Sequence, residues 1–506
     1  MMKKLVQVVG LAACISFSAS AQAPAELRVA LVIGNAAYAS APLANPLNDA
    51  RAMGEALKGM GFSVVEVRDA KKAEIEQAIT QVREQLKDRR GIGLLYYAGH
   101  GVQLDWRNYM VPVDAKLANA QDVRQQAIDV QQVVDAFRSA GTRTNILVLD
   151  ACRDNPFGAS GSGKGLAQMD APPGTFLAFA TAPGNVAEDG DAKAGNSLYT
   201  RHLVKEMQQP QARIEDVFKR VRLQVRRGSE GRQVPWESTS LEDDFSFDPK
   251  AASRGRERPS LETVESRLQR EVQHWDRIKA SARAEDFYAF LQEHPSGLVS
   301  EQAQFRLDQL QKQQVAARPG AQGVVALAAG ANRYQLGDEL VFDVIDGYSG
   351  EVRRVTQRVT HADAQRVEIN GGEEVMDQMG TVIKNRRGVK DPGYLMVPAD
   401  LAVGKRWQSA FINRMNPNSK GSTNYYEFRV VALEEVTVPA GTFKAFRIER
   451  SGEARPPGQP SVFMDGTMWV DPATMMMVRN DISYRGPGAR ESMRLVRMTR
   501  GPRPGP

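Results

Sequence analysis

Thiols are nearly absent from this chain. Cys14 and Cys152 are its two cysteines in 506 residues, which excludes a disulfide-stapled fold. Beyond the N-terminus, no stretch reaches the ~18 consecutive apolar residues of a membrane span. A strong charge of one sign is missing too. The formal net charge is +6 and the arginines are scattered, so nothing suggests a basic face that would track a nucleic acid. What remains, 42% hydrophobic and 25% charged, suits a globular protein. Its length exceeds what one core supports and implies two to four domains.

The first 21 residues read as a signal peptide. Lys3 and Lys4 precede an apolar stretch over residues 5–17, and Ala19-Ser20-Ala21 supplies small residues for cleavage. The mature chain would begin near Gln22. Leu11-Ala12-Ala13-Cys14 also fits a bacterial lipoprotein box, with Cys14 as the anchored residue, although the apolar run continues past it. Either route exports the protein to a periplasm or cell envelope, or secretes it, and removal of the segment leaves Cys152 as the one thiol of the mature domains.

Residues 27–247 alternate strand and helix patterns. Strand-like runs at 28–33, 62–67, 92–98, 146–149 and 175–181 are separated by helical faces such as Leu47, Ala50, Met53, Leu57 and Ile75, Ile79, Val82, Leu86. A hairpin is expected through 109–113. This alternation predicts an α/β fold, a mostly parallel sheet with helices on both faces. Residues 248–260, rich in Arg, Ser, Gly and Pro, form a linker. Leu261, Val264, Leu268, Val272, Trp275 and Ile278 recur at helical spacing, so 261–314 reads as a helical connector, broken near His294-Pro295-Ser296-Gly297. An Ala/Gly-rich linker follows. Residues 333–499 carry short alternating runs between turns such as Asn370-Gly371 and Ala440-Gly441, the pattern of a C-terminal antiparallel β domain. Its Val438-Pro439-Ala440-Gly441 and Trp469-Val470-Asp471-Pro472 resemble curved β-sheet domains of envelope proteins. His361 reads as a surface histidine.

Two apolar runs end on chemically capable residues. The first leads into Tyr96-Tyr97-Ala98-Gly99-His100-Gly101 and the second into Asp150-Ala151-Cys152-Arg153-Asp154, with Cys152 52 positions after His100. In an open α/β sheet, reacting groups lie beyond the carboxyl ends of the strands. Two such strands side by side would join an imidazole to a thiol, the minimum equipment of a cysteine nucleophile. The alternative for Cys152 is a buried cysteine packed like a small hydrophobe, and for His100 a solvated loop histidine.

These residues, with Arg28–Asn35, Tyr38, Asn48-Asp49-Ala50 and Gly61-Phe62, resemble the large-subunit part of the caspase-like cysteine peptidases. Ala182-Pro183-Gly184, Ala187-Glu188-Asp189-Gly190, Asn196-Ser197 and Gln233-Val234-Pro235-Trp236-Glu237 resemble the small-subunit part of bacterial members. The resemblance implies a cysteine endopeptidase working through a His100–Cys152 dyad, with the backbone N–H groups of Gly101 and Cys152 holding the oxyanion. It implies a peptide or protein substrate and no required metal or organic cofactor. Calcium dependence occurs among metacaspase-like proteins, but no residues here are assigned to it.

Animal caspases carry Gln two places before the cysteine and Gly two places after it. Here those places hold Asp150 and Asp154. An acid two before the cysteine accompanies cleavage after Arg or Lys in metacaspases, so Asp150 implies a basic P1 residue, with Asp49 and Asp189 as further pocket candidates. Against that role, Asp150 could cap its turn and Asp49 could be a helix N-terminal acid. The loop after the nucleophile is where activating cuts fall in this family, which makes Lys164 a candidate self-cleavage site, along with Arg254, Arg256 and Arg258 in the linker. Gly158 to Gly163-Lys164 matches the spacing of a phosphate loop, but Gly165 stands where Ser or Thr should bind magnesium. The alternative to the enzyme is a catalytically silent caspase-like peptide-binding or scaffold protein of the cell envelope.

Overall fold

The computed structural model describes residues 26–105, 107–152, 171–181, 195–210, 212–241, 243–248, 261–316, 333–363, 365–416, 418–485 and 490–501. Its first part runs β1 (Arg28–Gly34), α1 (Pro46–Gly59), β2 (Ser63–Arg68), α2 (Lys72–Leu86), β3 (Ile92–Leu104), β4 (Arg107–Met110), α3 (Ala120–Gln126), β5 (Ile128–Asp129), α4 (Val130–Ser139), β6 (Thr144–Cys152), β7 (Thr175–Phe179), α5 (Leu198–Met207), α6 (Ile214–Gly228) and β8 (Trp236–Thr239). The sheet order is β2-β1-β3-β6-β7-β8. All neighbours are parallel except β7 and β8.

The period of two along each strand sorts side chains between two cores. Ala30, Val32, Leu94, Tyr96, Ile146 and Val148 face α1, α5 and α6. Val29, Leu31, Ile33, Leu95, Tyr97, Leu147 and Leu149 face α2 and α4. A strand buried on both faces must be apolar at every position, which is why these segments read as unbroken hydrophobic runs. Each fully buried Leu, Ile, Val or Phe stabilises the fold by about 1.5–3 kcal/mol. Helix starts are marked locally. Pro46 opens α1, Asp129 caps α4 by accepting from the Gln131 amide, and Ser197 caps α5 by accepting from Thr200.

Three features depart from the sequence pattern. β3 does not stop at residue 98 but continues to Leu104, because residues 101–104 leave the parallel ladder and pair antiparallel with β4. The short helix α3 is announced only by its Asn119–Asp122 capping box. β8 is a four-residue antiparallel edge on β7, too short to show a period.

Three helices follow: α7 (Leu261–Ile278), α8 (Ala284–Glu293) and α9 (Ser300–Ala316). Trp275, Phe287, Phe290, Leu291 and Leu307 pack together and onto Leu223 of α6. Val264 and Leu268 pack with Ala410 and Tyr425 of the last part of the chain. That part comprises β9 (Glu339–Asp346), β10 (Val352–Ala362), β11 (Val367–Ile369), β12 (Glu374–Met376), β13 (Val382–Asn385), β14 (Gly388–Tyr394), β15 (Arg406–Arg414), β16 (Ser422–Val438), β17 (Gly441–Arg455), β18 (Val462–Val470), β19 (Met477–Tyr484) and β20 (Arg490–Thr499). Each strand pairs antiparallel with the next, and β20 returns to β9. The antiparallel β domain is therefore a closed 12-stranded barrel. Closure removes the open edges that would template aggregation.

Phe137 on α4 is fully buried and lies over Gly93 of β3, where a methyl group would sit 2.9 Å from its ring. Phe137→Ala should lower the unfolding free energy by about 3–5 kcal/mol, read from the first domain's transition in a denaturant titration.

Candidate active site

The parallel ladder between β3 and β6 pairs Tyr97 with Leu149, Ala98 with Asp150, Gly99 with Ala151 and His100 with Cys152. Neighbouring strands lie about 4.8 Å apart. His100 and Cys152 therefore occupy adjacent backbone positions at the carboxyl end of the sheet, beside the β1–β3 boundary where the strand order reverses. The backbone of β6 ends at Cys152.

The segment after β1 positions the imidazole. Asn35 is buried and ties this segment down, donating to the Ala70 and Val111 carbonyls and accepting from the Ala70 amide. Asp69 accepts from the Ala36 and Ala37 amides at 2.8 Å each. Tyr38 then lies against the His100 ring, with centroids 4.4 Å apart. Its hydroxyl accepts from the His100 amide at 3.0 Å and donates to the Val111 carbonyl. Tyr97 donates to the His100 carbonyl at 2.6 Å. Burial pushes the Tyr38 phenol up to about 12, so it stays neutral and keeps its donor at physiological pH.

The imidazole Nε2 lies 2.7 Å from the Ala41 carbonyl oxygen. A carbonyl can only accept, so Nε2 carries the proton and donates, and in the neutral ring Nδ1 carries the lone pair. Ala41 holds φ at 63°, a left-handed conformation that costs a non-glycine residue energy and clusters at functional sites. Gly99 is required sterically, since a methyl group there would lie 2.7 Å from the hydroxyl oxygens of both Tyr38 and Tyr97.

Gly101 faces Met110 across β3 and β4, while the Val111 amide donates to the His100 carbonyl. That pattern makes Gly101–Met110 a non-hydrogen-bonded pair, so the Gly101 N–H turns away from β4, towards the side of β3 that β6 occupies.

Asp150 and Asp49 are buried and share one network. Asp150 accepts from the hydroxyls of Ser197, at 2.6 Å, and Thr200, at 2.8 Å. Asp49 accepts from the Ser197 amide and the Asn196 side chain, both at 2.9 Å. Ser197 thus joins the two carboxylates while capping α5. Tyr96 also meets the Thr200 hydroxyl, at 2.5 Å. Burial first, and then the Asp150 carboxylate, push the Tyr96 and Tyr199 phenols well above their ordinary range. Asp49 does stand in the first turn of α1, but it bonds to the start of α5. Asp150 bonds α5 rather than only its own turn.

The structure therefore brings His100, Cys152, Gly101, Asp150 and Asp49 to one end of the sheet. Asp189, Lys164, Arg254, Arg256 and Arg258 lie outside the described residues, as do the phosphate-loop-like stretch and the N-terminal segment with Cys14. Sequence reasoning passed over the Ala41 carbonyl, Tyr97 and Thr200. A backbone carbonyl has no residue signature, and Tyr97 and Thr200 could be found only once the strand register was known. Among the described residues one set could hold a metal. His274, Glu293 and His294 place ligand atoms within 4.8 Å of one another, and they belong to the helical connector, not to this site. His361 is exposed and bonded to Asp363.

The family model "Caspase domain" matches residues 27–246. Over 127 residues the chain is 35% identical to the human mucosa-associated lymphoid tissue lymphoma translocation protein 1 and, to the same degree, to its mouse homolog. The match covers 25% of this chain and 15% of the length of each relative.

Ser197→Ala removes one donor to Asp150 and the side-chain cap of α5. It should cost about 1–3 kcal/mol, the penalty for leaving a buried acceptor short of a partner, measured by chemical denaturation against wild type.

Proposed function

We propose that the chain, whose residues 27–246 match the caspase-domain model, is a cysteine endopeptidase whose dyad is His100 and Cys152 and which cleaves after Arg or Lys. The observation that carries this reading is the pairing of His100 with Cys152 in the β3–β6 ladder, together with an imidazole whose Nε2 is committed to Ala41.

Free cysteine holds only a few per cent thiolate near neutrality. His100 Nδ1 takes the Cys152 proton, and the sulfur attacks the scissile carbonyl. The C–N bond breaks as the imidazolium returns that proton to the leaving amine, which yields a thioester. Water, deprotonated by the same nitrogen, then releases the carboxylate and regenerates the thiol. The negative oxygen formed in each half is held by the Gly101 and Cys152 amides. Each such donor is worth on the order of 3 kcal/mol of transition-state stabilisation. No metal enters these steps.

Specificity rests on Asp150, supported by Asp49. A carboxylate beside the nucleophile favours a guanidinium or ammonium at P1 and repels an acidic side chain. The network through Ser197 and Thr200 fixes its orientation. The Asp189 role belongs to the same pocket reading. The N-terminal segment supports export to the cell envelope, where the lone thiol of the mature chain is exposed to oxidation, so assays need reductant.

Wild type should hydrolyse fluorogenic Arg and Lys peptides, with Cys152→Ala at background and His100→Ala lower by about 10²–10⁴-fold. Full folding without turnover by wild type would instead favour the silent scaffold reading. Asp150→Asn should reduce kcat/KM for Arg peptides about ten- to a hundredfold, the scale of a hydrogen bond to a charged group, with neutral-P1 peptides little changed. Purified wild type should fragment beside Lys164, Arg254, Arg256 or Arg258 while Cys152→Ala stays whole. An intact, fully active wild type would remove the self-cleavage proposal.

A further inference from the structure

Among the described residues, the barrel holds a buried cation that pairs with no acid. Residues opposite one another in an antiparallel ladder share a face of the sheet. One row of the barrel wall is Trp407, Phe428, Arg450, Gly466 and Ile482, and the next is Ser409, Tyr426, Gly452, Met464 and Tyr484. The alternate positions are Arg406, Arg429, Glu449, Thr467 and Asp481 in one row and Gln408, Glu427, Ser451, Asp465 and Ser483 in the next, a polar and largely charged face. Trp407 and Phe428 belong to an apolar core with Val430, Ile448 and Met468, so the first face is the inner one. Arg450 therefore points into the barrel. It is 5% exposed. One of its terminal nitrogens donates to Asn480 Oδ1 at 2.8 Å and the other approaches Met396 Sδ at 3.7 Å. Its Nε is buried and meets no acceptor. Among the described residues it forms no ion pair.

One glycine makes room for it and another for the neighbouring ring. A methyl group on Gly466 would lie 2.8 Å from Arg450 Nε, and one on Gly452 would lie 2.0 Å from the Tyr426 ring. The rest of this end is a wall of rings. Tyr394 lies 4.9 Å from Phe411 and 5.0 Å from Tyr426, centroid to centroid. Tyr394, Met396, Tyr426 and Tyr484 face inward yet remain half-buried, so solvent reaches this end of the barrel. Arg450 lies one row deeper. A cation is costly to bury without a counter-charge, and this guanidinium, with an idle donor behind an aromatic wall, has no anion among the described residues.

We propose that this mouth binds an amphiphile with a single anionic head, of the long-chain carboxylate class, its head on Arg450 and its chain along Tyr394, Met396, Phe411, Tyr426 and Tyr484. Ligand sites of this kind are concave and apolar with a few placed polar groups. The proposal does not depend on the peptidase reading.

The test is calorimetric titration of the full chain with dodecanoate, kept below its micelle concentration, and with dodecanol. Wild type should bind one dodecanoate per chain, about ten- to a hundredfold more tightly than dodecanol, the scale of a hydrogen bond to a charged group. Arg450→Met should abolish that preference while leaving dodecanol binding unchanged, and Arg450→Lys should keep it. Should the Met variant fail to fold, wild type and Arg450→Lys decide alone. Equal affinity of wild type for the two ligands, or saturable binding of neither, overturns the proposal. So does a folded Arg450→Met that binds dodecanoate as wild type does.

Discussion

The parallel register of β3 against β6 is the constraint on which the candidate site depends. A slip of one residue would move His100 away from Cys152 and send every apolar side chain of β3 to the wrong layer. Burial on both faces makes such a slip expensive. Leu94 and Tyr96 are locked under α1, α5 and α6, and Leu95 and Tyr97 under α4 and α2. The same hydrophobic sorting that stabilises the sheet therefore sets the relation between imidazole and thiol backbone. A site held by two core strands is more exact than one held by loops.

Around that ladder, polar groups do what apolar packing cannot. Tyr38 and Tyr97 bond both the amide and the carbonyl of His100, while the Ala41 carbonyl sets its tautomer. On the opposite face of β3, Asp49, Ser197, Asp150, Thr200 and Tyr96 link α1, α5, β6 and β3 in one buried network. Buried networks of this kind rigidify when every member is satisfied and are costly when one is missing. The placement of α5, and with it the floor of the site, follows from hydrogen bonds to the two carboxylates as much as from the burial of Tyr199 and Leu203.

Much of this was legible in the chain. The alternation of strand and helix patterns gave the α/β class, and the runs ending at His100 and Cys152 are the ones that the β3–β6 ladder sets side by side. The antiparallel character of residues 333–499 was visible in alternating runs and Asn-Gly turns, where Asn370 and Gly371 both hold positive φ. Barrel closure was not visible, because it depends on β20 meeting β9, a pairing between strands at opposite ends of the domain. The extension of β3 was hidden by Gly99 and Gly101, which read as a loop until β4 supplies hydrogen bonds. Ala41 left no trace, since its contribution is a carbonyl. Arg450 and Glu449 are neighbours in sequence, and only the strand's period of two sends Glu449 to the outer face, beside Arg447, and Arg450 to the inner one, where it meets Asn480.

The central claim is that His100 activates Cys152 across adjacent strands. The most direct measurement is the rate of iodoacetamide alkylation of Cys152 against pH, followed by mass spectrometry of its peptide, in wild type and His100→Ala. The account predicts that wild type alkylates with an apparent pKa well below the ~8.5 of a free thiol, and that His100→Ala, while still folded, returns it towards that value. Identical profiles in the two proteins would contradict it.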